Sequence, residues 1–97
     1  MDRITLSNLE AVVRRINTAC RTPQSPYELV GKHYVSQVGC YHLSGAYGGY
    51  ALHQMVNDGG GVRDVFGGHI SKRDLWNRMH SFLQGIEAAA TTNHKGE

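Results

Sequence analysis

Glycine constrains this chain more than any other residue type. Twelve glycines occur in 97 residues, and nine of them lie between Gly39 and Gly68. A residue without Cβ is the default wherever backbone turns tightly or passes close to another group. The middle of the chain is therefore a region of short elements and turns, and it is where a ligand would approach the main chain. The flanks read differently. Leu6, Leu9, Val12, Val13, Ile16 and Ala19 recur at three-four spacing, which predicts an amphipathic helix over 7–20. Ser7 and Glu10 have capping-box spacing, and Arg14, Arg15 and Asn17 fall on the polar face. Pro23 and Pro26 stop that helix and make 21–26 a connector.

From His33 to Val56 the period becomes two. His33 to Val38, Tyr41 to Ser44 and Tyr50 to Val56 read as strands rich in aromatic and β-branched residues. Their short connections predict an antiparallel three-stranded meander. Residues 57–68 read as a glycine loop. Ser71 and Asp74 then mark the start of a second helix, whose apolar stripe is Leu75, Met79, Phe82, Leu83 and Ile86. The expected fold is one α+β domain over 1–87, a small antiparallel meander covered by an N-terminal and a C-terminal helix. Residues 88–97 carry no pattern and are expected to form a disordered tail.

Ten basic and eight acidic residues give a net charge of +2, too even for a protein that coats polymeric nucleic acid or a membrane. The N-terminus has no signal-peptide pattern, so a cytoplasmic protein with Cys20 and Cys40 as free thiols is expected. The six histidines contain no metal-binding spacing, although His42 and His53 would converge on neighbouring strands. No nucleophile has an evident base beside it, Ser44 lacks a nucleophile elbow, and Asp58 and Asp64 read as turn aspartates. Neither a catalytic residue, a metal nor a cofactor is expected.

The strongest signal for binding is a junction. Successive amides at Gly59, Gly60 and Gly61 can form an anion-binding nest, and a helix opening at Ser71 offers further unsatisfied donors. Lys72 and Arg73 occupy its first turn, where cations oppose the helix dipole by about 0.3–1 kcal/mol each. Arg63 adds a third positive charge. Tyr47, in a glycine turn, offers a ring for stacking on a base, worth about 1–3 kcal/mol. Asn57 can address base or ribose edges. Tyr47, Asn57, Gly59, Gly60, Arg63, Lys72 and Arg73 are accordingly the candidate ligand-binding residues, and their combination suits a phosphorylated nucleotide. Each also has a plain structural reading: solvated cations, a wide turn, a ring folded on the core.

The run YHLSGAYGGYALHQMVNDGGGV from Tyr41 to Val62, followed by SKRDLW from Ser71, resembles the first type of phage Thoeris anti-defence sponge. The resemblance covers residues 41–86. It implies non-covalent sequestration of cyclic ADP-ribose-type signals, in some members of cyclic oligonucleotides, by a homo-oligomer. Tyr47, Asn57 and Arg73 match the order of the family's pocket residues. A phenylalanine is expected where Tyr47 stands, and the interval to Arg73 is one residue short. The competing reading is a small phage protein that blocks a host defence protein by direct contact, which would need an exposed apolar or acidic patch that the sequence does not display. A small phosphodiesterase, the third reading, would need a base or metal that the sequence does not assemble.

Overall fold

The computed structural model describes residues 3–95, with side chains described as far as Ala90. Helix α1 spans Leu6–Cys20, followed by strands β1 (Tyr27–Val30), β2 (His33–Ser36), β3 (Tyr41–Ala46), β4 (Gly49–Met55) and β5 (Val62–Asp64), and by helix α2 (Lys72–Lys95). The fold is α+β, with an N-terminal and a C-terminal helix packed on antiparallel sheet.

Thr5, rather than Ser7, caps α1. Its hydroxyl accepts from the Asn8 amide at 3.2 Å while the Asn8 side chain accepts from the Thr5 amide at 2.9 Å. The helix thus starts earlier because a threonine–asparagine pair satisfies the first turn. Asn17, expected on the polar face, is fully buried. Its Nδ2 donates to the Tyr41 carbonyl at 2.9 Å, and its Oδ1 accepts from the Tyr41 amide at 2.8 Å. One side-chain amide thereby satisfies the outward backbone groups of Tyr41 at the start of edge strand β3, which apolar periodicity could not reveal.

The strands form two sheets instead of one meander. β3, β4 and β5 are the meander, in that order, and β1 and β2 form a separate hairpin. β5 lies inside the stretch read as loop, with Arg63 opposite Gln54 and Asp64 opposite His53. Three residues are too few to show a period, so the register with β4, not the pattern, defines it. Leu9, Val12, Ile16, Tyr41, Leu52, Leu75, Met79 and Leu83 make the core between the helices and the meander. Ser71 caps α2 as expected, accepting from the Asp74 amide at 3.1 Å. The expected tail is corrected: helical backbone continues to Lys95. Ala88, Ala89 and Ala90 need no apolar stripe to stay helical, because alanine has the best intrinsic propensity. Residues 96 and 97 of that expectation lie outside the described residues.

Candidate functional site

Among the described residues two non-glycines have positive φ: Arg21, which caps the end of α1, and Tyr47 in the β3–β4 turn. Tyr47 and Gly48 both have positive φ, 55° and 73°, the combination of a two-residue type I′ hairpin turn. Asparagine and glycine favour that conformation; a tyrosine there is a genuine outlier. Its ring gains little cover in return, being 97% exposed. One edge contact holds it, with the ring centres of Tyr47 and His69 5.8 Å apart at 77°.

On one flank of this turn lies a groove of about 610 Å³, lined by Gly45, Ala46, Gly48, Gly49, Tyr50, Ser71 and Lys72. A reciprocal backbone pair builds it: the Tyr50 amide donates to the Ile70 carbonyl at 2.8 Å, and the Ile70 amide donates back at 2.9 Å. That pair brings the start of α2 against the start of β4. A Cβ on Gly49 would stand 2.8 Å from the Ile70 carbonyl oxygen, so only glycine permits the approach. Lys72 and the turn thus line one groove, and Arg73 is exposed beside Lys72 in the first turn of α2.

On the other flank is a row of imidazoles. His69 Nε2 lies 3.1 Å from the Ser44 hydroxyl, and the His53 ring is 6.0 Å from His69 and 5.9 Å from His42. His53 Nε2 is 4.0 Å from an Asp64 carboxylate oxygen. Asp64 accepts from the Gly67 and Gly68 amides at 2.9 and 2.7 Å. The Gly68 hydrogen bond above all holds its carboxyl below the usual carboxylate range. His42 Nε2 is buried with no hydrogen-bond partner, and burial pushes that imidazole's pKa down. Among the described residues no group of three or more histidines, cysteines, aspartates or glutamates is arranged to hold a metal. Sequence reasoning saw that His42 and His53 could converge but missed His69 and Ser44. Their meeting depends on residues 66–70 returning to β4, which has no local signature.

The remaining candidates lie elsewhere. Seven-residue β4 spans roughly 20 Å, and Asn57, Gly59 and Gly60 lie beyond its far end from Tyr47. Asn57 Oδ1 accepts from the Gly59 and Gly61 amides, each at 2.9 Å, and the Asn57 carbonyl accepts from Gly60 at 3.4 Å. The three amides expected to form an anion nest are engaged by Asn57 itself. A Cβ at Gly61 would collide with the Asn57 side-chain nitrogen. Arg63 is not beside α2's first turn but on β5, donating to the Gln54 side chain at 2.7 Å. Cys20 and Cys40 are both free thiols, and burial pushes that of Cys40 up.

The fold and this geometry define a small α+β protein with an aromatic, glycine-lined and cationic end. Comparison with family models, with curated proteins and with solved structures gives no match. Among the described residues no helix is long and apolar enough to cross a membrane.

Proposed function

We propose that the protein captures a small anionic nucleotide at the β3–β4 turn and releases it unchanged. The carrying observation is Tyr47, a bulky side chain kept in an unfavourable backbone conformation and presented to solvent. Strain of this kind costs about 1–3 kcal/mol and recurs at functional sites. A base stacks on the Tyr47 ring, His69 braces that ring, and Lys72 with the Ser71 end of α2 receives phosphate. The signal ligand implied by the family resemblance, a cyclic ADP-ribose derivative, has this combination of base and phosphate. Asn57, Gly59 and Gly60 are committed to their own loop and drop out of the site, and Arg63 can reach the same ligand only from a neighbouring copy, as the homo-oligomer implied by the resemblance would allow. A thermal-shift screen against cyclic nucleotides and ADP-ribose derivatives tests it. A stabilising ligand recovered intact after denaturation supports the proposal, whereas its conversion to a linear product ends it.

One observation favours the competing reading, inhibition of a host protein by direct contact. The exposed apolar patch not evident in the sequence is present, on the β1–β2 hairpin.

A further inference from the structure

Gly45 is a glycine that its own backbone does not require. It lies within β3, has no positive φ, and is exposed. Glycine in a strand costs conformational entropy and packs nothing, so it marks a place where another group comes close. Two other glycines of the same groove have backbone reasons: Gly48 has a positive φ, and Gly49 is approached by the Ile70 main chain. At Gly45 the neighbour is a side chain. A Cβ there would stand 3.2 Å from Tyr50 Cε1 and 3.6 Å from Tyr50 Cδ1. Tyr50 is the cross-strand partner of Gly45, and its half-buried ring lies over the glycine and lines the groove. The Tyr50 backbone is fixed on both sides, by its pairing with β3 and by the reciprocal bonds to Ile70. An aromatic ring opposite an edge-strand glycine restores packing that the glycine gives up. That explains Tyr50 once the glycine is there, but not the glycine.

We propose that Gly45 and Tyr50 together set the size of ligand that the groove admits. This rests on the capture reading and names the residues that select the ligand within it. Lys72 lines the groove and Tyr47 does not. A nucleotide with its base on Tyr47 and its phosphate at Lys72 therefore carries the intervening part across Gly48 and Gly49 and onto the Tyr50 ring. Glycine at 45 keeps that ring close to the strand and leaves about 610 Å³ open, within the roughly 300–1,000 Å³ of small-molecule sites. A side chain at 45 either pushes the ring toward the groove or enters the groove itself, and both narrow it. The ligand class favoured is a nucleotide with a further sugar or base ring beyond its first nucleoside, over a mononucleotide.

Titration calorimetry with cyclic ADP-ribose and with adenosine monophosphate tests this on wild type, Gly45→Ala and Gly45→Val. Both probes carry an adenine and a phosphate, and the monophosphate lacks the second ribose. Wild type is expected to bind cyclic ADP-ribose the more tightly. Gly45→Val is expected to weaken cyclic ADP-ribose by about tenfold or more, the effect of a misfitting methylene in a pocket, and the monophosphate by less than about threefold. Gly45→Ala should move both affinities the same way by less, and it decides the matter should valine prevent folding. Adding Tyr50→Leu to Gly45→Val removes the displaced ring and should recover part of the cyclic ADP-ribose affinity, which a general loss of structure would not allow. A wild type that prefers the monophosphate, equal weakening of both probes, or full cyclic ADP-ribose affinity in both glycine variants overturns the proposal and leaves capture at Tyr47 standing. A wild type that binds neither probe overturns it together with capture of an ADP-ribose-type ligand.

Discussion

His42 and Asn57 show how differently two polar residues of the meander act. His42 carries a buried nitrogen without a partner, and burial holds its pKa below the ordinary imidazole value of about 6.5. The unfolded chain therefore takes up a proton on His42 before the folded protein does. The stability this neutral histidine contributes is complete above about pH 6.5 and is lost as pH falls through the window below it. His80, also lowered by burial, acts in the same direction. Wild-type melting temperature should fall between about pH 7.5 and pH 5.5, and His42→Phe should reduce that fall. An undiminished pH dependence in His42→Phe would assign the effect to other groups. Asn57 instead accepts from two amides of its own loop. Losing that acceptor should cost about 1 kcal/mol, or a melting shift of roughly 4–8 °C. Asn57→Ala should show the loss, and Asn57→Asp, which keeps an acceptor oxygen, should not. Sequence identified Asn57 as polar and well placed in a glycine loop. It could not tell that the amide turns inward to bind its own loop rather than outward to a ligand.

Among elements, the helices were the most legible and the short strands the least. The apolar stripe Leu75, Met79 and Leu83 is buried as its spacing implies, and Ser71 caps α2 as read. β1 follows two prolines, β5 sits among glycines, and each is defined by its partner strand rather than by its own pattern. The separate hairpin was missed for a related reason: alternation assigns residues to faces but does not say which strands share a sheet. At the start of α2, Lys72 is a cation where the helix dipole favours an anion. Lys72→Ala should weaken nucleotide binding by about tenfold, a loss near 1.4 kcal/mol. It should leave the ligand-free melting point unchanged or slightly raised, by up to about 1 kcal/mol of helix-dipole relief. Titration calorimetry and melting of the same variant check both. A variant that binds as wild type does would remove α2 from the site.

At the scale of the whole molecule, a small core supports two exposed features: an apolar hairpin arm and a strained tyrosine turn. The hairpin was hidden from sequence reasoning, whereas an exposed ring in a glycine turn was one of the two readings of Tyr47. Exposure and backbone φ are set by how the chain closes on itself, even though Tyr47 could be singled out as an aromatic among glycines. The central claim is that Tyr47 sacrifices stability for binding, and a Tyr47→Asn variant tests it most directly. Asparagine suits the positive φ of a type I′ turn, so the ligand-free variant should gain up to about 1 kcal/mol and melt higher than wild type. Ligand at a hundred times its dissociation constant stabilises a fold by about 2.7 kcal/mol, a shift of roughly 10–20 °C for a domain of this size. Differential scanning calorimetry of wild type and Tyr47→Asn, with and without the nucleotide that emerges from the screen, measures both effects together. The account predicts a higher midpoint for the variant alone and a loss of most of the ligand-induced shift. A variant that melts lower than wild type on its own, or that keeps the full ligand shift, contradicts it.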